Sequence, residues 1–325
     1  MKHNLLPQKI INDWPSQFDG HLHYCIGLSG GVDSVVLLDL LIKAQQLKSF
    51  QLSAIHVNHN ISPNAQLWQQ FCIELCQKYF INLISSSVYV QKIGGEGLEN
   101  SARKLRYQEY AETNADVIIL AHHQDDQIET MLSQIMRGSN LHNSAGMLPV
   151  NQRGQQYFWR PLLNISKLAI NDYAMQNQLQ HIEDESNNDN QYLRNFLRNQ
   201  IIPQLEKFDP QVKTKLCKTI SELQNITALS DELAELDYTN CVNEIHALTR
   251  QEFIKLSPLR QQNLLAYYIQ QQNFALPSQK RIIEFIRQAQ SFKNGRKPTL
   301  ILDQSHTLIA TFKLINIIKN KESLD

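Results

Sequence analysis

The segment that most constrains the fold is SGGVDS at residues 29–34. It follows an apolar run that ends at Leu28, and it precedes a second apolar run at residues 35–41 with helical spacing. Glycine allows the backbone to turn sharply and to approach a ligand closely, and the free N–H groups at a helix start bind anions. The segment therefore predicts a strand, a turn and a helix that together bind phosphate groups.

The same segment contains one acidic residue, Asp33, and two serine hydroxyl groups that can donate further hydrogen bonds. A carboxylate repels phosphate unless a cation lies between them, so Asp33 predicts a bound Mg²⁺ ion. The segment has no lysine and is therefore not a Walker loop, whose GxxxxGK pattern contains one. It is similar instead to the SGGxDS loop of N-type ATP pyrophosphatases, which cleave ATP between its α and β phosphates. A serine-capped helix that binds no ligand is the alternative interpretation.

Around this segment, short apolar runs alternate with stretches of helical length from residue 22 to about residue 137. This alternation is typical of βαβ units, which form a parallel sheet with helices on both faces. The predicted strands cover residues 24–28, 52–57, 83–90 and 117–121, and the predicted helices begin near Ser34, Asn64, Glu99 and Asp125. The fold class is therefore α/β, and ligands are expected at the carboxyl ends of the strands.

Two domains are expected from the length of 325 residues. Turn residues and short apolar pieces occupy residues 147–185, and the polar run at residues 183–191 predicts a loop. A helix over residues 192–207 then closes the first domain, so the predicted domains are residues 1–208 and residues 209–325. The second domain is expected to be smaller and mostly helical, with strands at residues 299–302 and 307–318.

A second polar segment, HHQDDQIE at residues 122–129, follows the predicted strand at residues 117–121. Carboxylates three or four residues apart lie on one face of a helix. Asp126 and Glu129 therefore predict a site for Mg²⁺, or for a substrate ammonium group whose proton a carboxylate accepts. The alternative is an acidic helix start that the helix dipole stabilises.

Two basic segments precede and follow this acidic pair. Arg103 and Arg106 share a helical face, which either contacts nucleotide phosphate or is an ordinary solvated face. Arg137 and Gly138 stand at a predicted helix end. Two interpretations remain open: the pair caps the helix, or Arg137 contacts phosphate or RNA.

A third basic region contains Arg194 and Arg198, with Asn195 between them. Lysines follow it at Lys207, Lys213, Lys215 and Lys218. The chain has a formal net charge of zero, so an RNA-binding surface has to be a local patch, and this is where basic residues accumulate. A solvated helix face is the alternative.

The five cysteines contain no CxxC pair, which predicts reduced thiols rather than disulfides or a zinc site. They are Cys25, Cys72, Cys76, Cys217 and Cys241. Residues 1–13 lack the apolar core of a signal peptide, and no segment approaches the roughly 20 apolar residues of a membrane span. A cytoplasmic protein is therefore expected, with no membrane partner. The sequence leaves the oligomeric state open and allows a homodimer.

These segments occur together, and in this order, in the tRNA(Ile)-lysidine synthetases, which the chain resembles over nearly its whole length. The matching segments are SGGVDS at 29–34, HVNH at 56–59, ENSARKLRY at 99–107, LAHHQDDQIET at 120–130, RGS at 137–139, RPLL at 160–163 and RNFLRNQIIPQL at 194–205. The resemblance implies a HUP-like PP-loop domain and a smaller C-terminal domain that binds tRNA or substrate. It also implies a ligase that adenylates C2 of the wobble cytidine in a tRNA(Ile) with a CAU anticodon and then replaces AMP with the side-chain amine of free L-lysine.

Carried over by position, the resemblance implies a role for each candidate residue. It makes Ser29, Gly30, Gly31, Asp33 and Ser34 the loop that binds ATP and Mg²⁺, with Asp33 as the metal ligand and a catalytic residue, and it places His56 and Val57 near the adenosine. Arg103, Asp126, Glu129 and Arg137 become catalytic or substrate-binding candidates. Arg194, Asn195 and Arg198 become tRNA-binding candidates.

Two features differ from the usual family pattern. The family often has HGLR after the second strand, whereas this chain has HNIS at residues 59–62, so the resemblance does not extend to a basic contact from that loop. The chain is also expected to lack the extra C-terminal domain of longer members.

Three other functions are compatible with an SGGxDS loop. A tRNA thiolation enzyme of the same fold is the main alternative, but such enzymes usually carry paired CxxC motifs or a catalytic cysteine. A small-molecule synthetase or amidotransferase is the second, and a tRNA-binding protein without catalysis is the third. The intact glycines, Asp33 and the pair of Asp126 and Glu129 favour an active enzyme.

Overall fold

The computed structural model describes residues 6–18, 20, 22–90, 98–138, 145–183, 185, 189–292 and 297–320. The chain forms two compact units. Unit 1 comprises Met1–Ser139 with Gly146–Ile220, and unit 2 comprises Asn140–Ala145 with Ser221–Asp325. No helix of the described residues is long and apolar enough to cross a membrane.

Unit 1 contains a six-stranded sheet with the strand order β3-β2-β1-β4-β6-β5. All neighbouring strands are parallel except β5 and β6, which form an antiparallel hairpin at one edge. The strands are β1 (His23–Gly27), β2 (Gln51–Asn58), β3 (Asn82–Ser87), β4 (Val117–Ile119), β5 (Val150–Arg153) and β6 (Gln156–Trp159). This arrangement confirms the predicted α/β fold with a mainly parallel sheet.

Helices connect these strands and lie in the same unit. They are α1 (Leu6–Asn12), α2 (Val32–Gln45), α3 (Ala65–Lys78), α4 (Leu98–Ala111), α5 (Gln124–Met136), α6 (Lys167–Gln176), α7 (Leu193–Phe196) and α8 (Ile202–Phe208). The central strand β1 and helix α2 are buried because both are apolar on nearly every side. Their core includes Leu37 and Leu40, together with the aromatic rings of Tyr24 and Trp159.

A π-helical turn, Leu197–Ile201, joins α7 to α8. Pro203 lies in the first turn of α8 and has no N–H to donate. A proline ring also crowds the carbonyl group four residues before it, which disfavours the regular α-helical bond at that place. The wider turn therefore precedes the proline, within the segment that carries Arg194 and Arg198.

The long helix α9 (Val212–Cys241) contains the boundary between the units, because unit 1 ends at Ile220. The division expected from the sequence lies earlier, after Phe208. The first turns of α9 belong to unit 1 because the ammonium group of Lys213 bonds to Asp125, at 2.8 Å, and to Glu206, at 3.2 Å.

Unit 2 combines the rest of α9 with three further helices and a four-stranded antiparallel sheet of order β7-β10-β9-β8. Its elements are β7 (Leu248–Thr249), α10 (Arg250–Lys255), α11 (Pro258–Gln271), α12 (Gln279–Ser291), β8 (Thr299–Ile301), β9 (His306–Ala310) and β10 (Leu314–Lys319). Its core contains Phe253, Leu264, Tyr268, Phe285 and Leu308. Helix α10 ends at Lys255, and Pro258 starts α11 as a separate helix, with Ser257 between them.

Candidate active site

The loop at residues 29–34 connects β1 to α2 and is held by its own serines. The Ser34 hydroxyl donates to the Gly31 carbonyl oxygen at 2.9 Å and accepts from the Gly30 N–H at 3.2 Å. The Ser29 hydroxyl lies 3.2 Å from that of Ser34. Helix α2 starts after Gly31 without a side-chain cap, so its first N–H groups remain available to an anion. The binding of phosphate by these residues stays a prediction.

Gly30 is the position in this loop where glycine is required. Its φ of +87° lies in the region that other residues rarely adopt. A Cβ atom there would come within 2.6 Å of the Cδ1 atom of Ile182, whose N–H donates to the Gly30 carbonyl oxygen at 2.9 Å. The segment around Ile182 therefore packs directly on the loop and fixes its shape.

Asp33 is bonded to Lys167, the first residue of α6. The Lys167 Nζ atom lies 2.6 Å from one carboxylate oxygen of Asp33 and 2.8 Å from the other. About a third of the lysine side chain and 28% of the aspartate side chain are exposed, so the pair faces solvent. Motif analysis of the sequence did not identify Lys167. The available signal was a lysine directly after Ser166, which caps α6 by accepting the Ala169 N–H at 3.2 Å.

Three helices begin around this pair. Helix α5 starts next to α6, because the N–H of Gln124 donates to the carbonyl oxygen of Ile165 at 3.0 Å. His123, the residue that caps α5, places its Nε2 atom 3.7 Å from Asp33. The starts of α2, α5 and α6 therefore converge at the carboxyl edge of the sheet, and their dipoles make this edge favourable for negative charge.

His123 links Asp33 to the predicted acidic pair. Its Nδ1 atom accepts the Asp125 N–H at 3.2 Å, which places the proton of the neutral ring on Nε2, while its own backbone N–H donates to Asp126 at 2.9 Å. This reciprocal arrangement is a capping box, so His123 and Asp126 stabilise the start of α5. Asp126 therefore stabilises the helix start and is also a candidate site residue.

The acidic pair and the third basic region form one network of four charges. Arg194 donates from Nε to Glu129 at 2.8 Å and from Nη2 to Asp126 at 2.9 Å. Arg198 donates from Nε and Nη2 to the two oxygens of Glu129, at 2.6 and 3.0 Å. The sequence alone indicates two separate sites, because 65 to 72 residues separate the acids from the arginines.

The side chains of this network differ in burial. The Glu129 side chain is fully buried, whereas 28% of Arg194 and 37% of Arg198 are exposed. Burial alone would raise the pKa of Asp126, but the nearby His123 and Arg194 outweigh it and lower that pKa to about 2. A buried carboxylate requires partners of opposite charge, and Arg194 and Arg198 are the partners of Glu129.

The tRNA-binding assignment of Arg194, Asn195 and Arg198 stays a prediction. Both guanidinium groups are bonded to carboxylates, and their exposed fractions leave one side of each open to solvent. Asn195 donates to the carbonyl oxygen of Asp189 at 2.9 Å.

Helix α4 places Arg106 at the end of β2. Arg106 donates to the Nε2 atom of His59 at 3.2 to 3.3 Å, and burial together with Arg106 lowers the pKa of His59 to about 4. His56 is buried and donates from Nδ1 to the carbonyl oxygen of Leu28, at 2.8 Å, next to the phosphate loop. Val57 follows it on β2 and is half-buried. The structure thus brings His56 next to the loop, while its contact with adenosine stays a prediction.

Arg103 lies beside a group of basic and aromatic side chains. Its guanidinium group is 5.2 Å from the ring centre of Tyr107, and that of Arg153 is 4.3 Å from the same ring. Arg160, in the RPLL segment, is buried and donates to the Leu148 carbonyl oxygen at 2.9 Å. This group adds two arginines, Arg153 and Arg160, that sequence analysis did not propose as site residues.

Arg137 lies on the same helix as the acidic pair but at its C-terminal end. It caps the C-terminal end of α5, and Gly138 follows with φ of +64°. Asp126 lies at the opposite end of the same helix, about 16 Å away at ~1.5 Å per residue. Helix capping therefore accounts for Arg137 and Gly138, and a catalytic role for Arg137 stays a prediction.

His122 is a further residue of this edge. Burial lowers its pKa to about 3, with Asp126 opposing the shift, so the ring is neutral near neutral pH. Its Nδ1 atom is buried without a hydrogen-bond partner among the described residues.

Comparison with protein families identifies both parts of the chain. Residues 5–205 match the PP-loop domain family, and residues 248–311 match the TilS substrate binding domain.

Known proteins with similar sequences agree with these matches. The tRNA(Ile)-lysidine synthase of Chromobacterium violaceum is 37% identical over 302 residues, which is 92% of this chain and 69% of that protein. The tRNA(Ile)-lysidine synthase of Nitrosomonas europaea is 38% identical over 281 residues, which is 86% of this chain and 61% of that protein. The chain thus matches about two thirds of the length of these relatives.

The fold also occurs in solved structures of other proteins. The U34-tRNA thiolase NcsA from Methanococcus maripaludis superimposes with a TM-score of 0.56 and 18% identity, covering 68% of this chain and 78% of that protein. At this identity the likeness concerns the fold alone. The two domain families and the sequence relatives confirm the resemblance found in the motifs: the chain belongs to the tRNA(Ile)-lysidine synthase family.

Proposed function

We propose that this chain ligates free L-lysine to C2 of the wobble cytidine of a tRNA(Ile) with a CAU anticodon. In the first step the C2 oxygen attacks the α-phosphorus of ATP, the bond to the β-phosphate breaks, and pyrophosphate leaves. In the second step the side-chain amine of lysine attacks C2, loses a proton, and displaces AMP together with the C2 oxygen. The reaction is proposed to occur in the cytoplasm.

The observation that carries this proposal is the convergence of a phosphate loop and a pair of carboxylates at one edge of one sheet. His123 touches both, because its Nε2 atom is 3.7 Å from Asp33 and 3.5 Å from Asp126. Adenylation followed by attack of an amine requires a polyphosphate site next to a site that binds the substrate ammonium group and takes its proton before the attack. Family membership and this geometry support the same reaction.

The open N–H groups at the start of α2 would bind the phosphates, and His56 with Val57 would lie near the adenosine. Asp126 and Glu129 would hold the ammonium group of lysine, and one of them would accept its proton. Both carboxylates are bonded to Arg194 and Arg198, so the lysine ammonium would share them with these arginines or replace one of those bonds.

The residues of the loop fit a Mg²⁺ ion that arrives with ATP. Mg²⁺ is commonly held by one or two carboxylates plus substrate phosphates, and Asp33 is a partly exposed carboxylate beside the anion site. Asp33 would hold the ion, which would neutralise phosphate charge. The described residues contain no group of three or more acidic, histidine or cysteine side chains that could hold a metal by themselves.

The test is mass spectrometry of a tRNA(Ile) transcript with a CAU anticodon after incubation with the protein, ATP and lysine. The expected product gains one lysine and loses one water at the wobble cytidine. The methionine tRNA has the same anticodon and is expected to stay unmodified, since readout beyond the anticodon is proposed for residues 209–325. Equal modification of both transcripts, or of neither, would contradict the proposed substrate.

A further inference from the structure

We propose that Lys167 supplies the phosphate-binding cation that the loop at residues 29–34 lacks, and that it exchanges Asp33 for the β and γ phosphates of ATP. The proposal rests on the proposed function only in taking ATP as the ligand. A Walker loop carries its own lysine, whereas this loop has none. Lys167 brings an ammonium group to the same place from 134 residues later in the chain.

The position of Lys167 is unfavourable for its own helix. It is the first residue of α6, where the helix dipole favours negative charge and disfavours a cation. Asp33 compensates for this charge in the structure through two hydrogen bonds. A residue that opposes local helix preferences often serves a functional site, and here that site is a phosphate loop.

A second contact between the same helices keeps Lys167 in place. The Tyr173 hydroxyl donates to Asp39 at 2.7 Å, and Lys43 donates to the Tyr173 oxygen at 2.7 Å. Asp33 and Asp39 are six residues apart on α2, and their partners Lys167 and Tyr173 are six residues apart on α6. The two helices therefore run parallel and in step, with both starts at the phosphate site.

The change of partner by Lys167, from Asp33 to phosphate, follows from the charges at the loop. In the described state the Asp33 carboxylate neutralises Lys167. Once phosphates and a cation occupy the loop, Asp33 gains a competing partner, and the ammonium group at the end of its flexible stem is free to contact a phosphate oxygen. Departing pyrophosphate carries several negative charges, and cations placed beside it stabilise the charge that develops as the bond breaks.

The experiment is calorimetric titration of the full chain with inorganic pyrophosphate, ATP and AMP, with and without Mg²⁺. For Lys167→Met we expect pyrophosphate and ATP to bind about tenfold more weakly or worse, and AMP to bind within about twofold of wild type. Lys43→Met is the matched control, because it removes a lysine from the same helix pair at the end away from the loop. It is expected to leave pyrophosphate affinity unchanged.

A double variant separates direct phosphate binding from simple neutralisation of Asp33. Without Mg²⁺, Asp33→Asn is expected to bind pyrophosphate severalfold more tightly, because Lys167 loses its competing partner. Asp33→Asn combined with Lys167→Met is expected to bind pyrophosphate as weakly as Lys167→Met alone.

Four results would overturn the proposal: wild-type affinity in the double variant, an equal loss for Lys43→Met, an equal loss for AMP, or no pyrophosphate binding by the wild type. A wild-type protein that binds ATP and pyrophosphate as expected but forms no lysidine would contradict the proposed function and leave the role of Lys167 standing.

Discussion

Two charged clusters lie at the same edge of the sheet and differ in how deeply their charges are buried. Asp33 and Lys167 form a single pair that is about one third exposed, whereas Glu129 is fully buried and holds two arginines. Exposed pairs contribute at most about 1 kcal/mol, but removal of one partner from a buried pair costs about 3–5 kcal/mol. The first cluster can therefore exchange partners readily, and the second can do so only when a new charge replaces the lost one.

The largest expected effect comes from the buried cluster. Glu129→Ala removes the carboxylate that both arginines share, and we expect the free energy of unfolding of unit 1 to fall by about 3–5 kcal/mol. Urea denaturation followed by circular dichroism measures this change. Glu206→Ala, which removes a partly exposed carboxylate bonded to Lys213, is the control and should lower stability by less than about 1 kcal/mol. Equal losses of unfolding free energy in the two variants would contradict the view that the buried carboxylate contributes more to stability than an exposed one.

The exposed pair is expected to matter for chemistry rather than for stability. Asp33→Ala should lower pyrophosphate release about 100-fold or more, the size typical of one lost electrostatic group at a reacting centre. Its unfolding free energy should stay within about 1 kcal/mol of wild type. Asp13→Ala, which breaks another exposed pair, with Lys9, is the control for both measurements. Unchanged release at saturating Mg²⁺ would contradict the assignment of the loop.

Arg198 belongs to the buried cluster, but 37% of its side chain is exposed to solvent. If Arg198 also contacts a tRNA phosphate, Arg198→Ala should weaken tRNA binding and reduce the slope of log affinity against log salt by about 1. ATP affinity should not change. Lys9→Ala removes the same charge elsewhere and should leave the slope as it is. A wild-type slope in Arg198→Ala would mean that this arginine serves the carboxylates alone.

The smallest expected effect is a change of stability at acidic pH. Asp126 and His122 contribute to it in different pH ranges. Asp126 has its pKa lowered to about 2, so its contribution persists above pH 4 and is lost only as the pH falls toward 2. His122 has its pKa lowered to about 3, so the unfolded chain takes up a proton near pH 6.5 that the folded chain does not.

Stability should therefore fall by about 1 kcal/mol between pH 7 and pH 5.5 through His122. Urea unfolding at both pH values measures it, and His122→Asn should show a drop smaller by that amount. The same drop in the variant would show that His122 is not the responsible group.

The elements around the phosphate loop were predictable because their signals are local. Each predicted strand of the parallel sheet lies within a few residues of an observed one. The strands β1 and β4 are the buried apolar runs that are typical of parallel sheets, whereas β3 is mostly exposed and ends in serines. The hairpin of β5 and β6 was not predicted, because β5 consists mostly of polar residues such as Asn151 and Gln152. Helix α6 was also missed, and with it Lys167.

The candidate residues were predictable as motifs but not as a site. Asp126 and Glu129 follow from helical spacing, and Arg194 and Arg198 from local charge, yet nothing in their spacing indicates that the two pairs meet. The same holds for Asp33 and Lys167, which are 134 residues apart. Contacts of this kind depend on the order of strands in the sheet, which brings together helix starts that are distant in sequence.

The π-helical turn at Leu197–Ile201 makes the position of Arg198 sensitive to chain length. A π turn contains one residue more than the α-helical turn that it replaces. Deletion of one residue there would restore a regular helix, but it would rotate everything on one side of the deletion by about 100° relative to the other side. The bonds of Arg194 to Glu129 and the burial of Ile202 in α8 could then not both be kept. Substitutions in this turn are thus expected to be tolerated far better than insertions or deletions of a single residue.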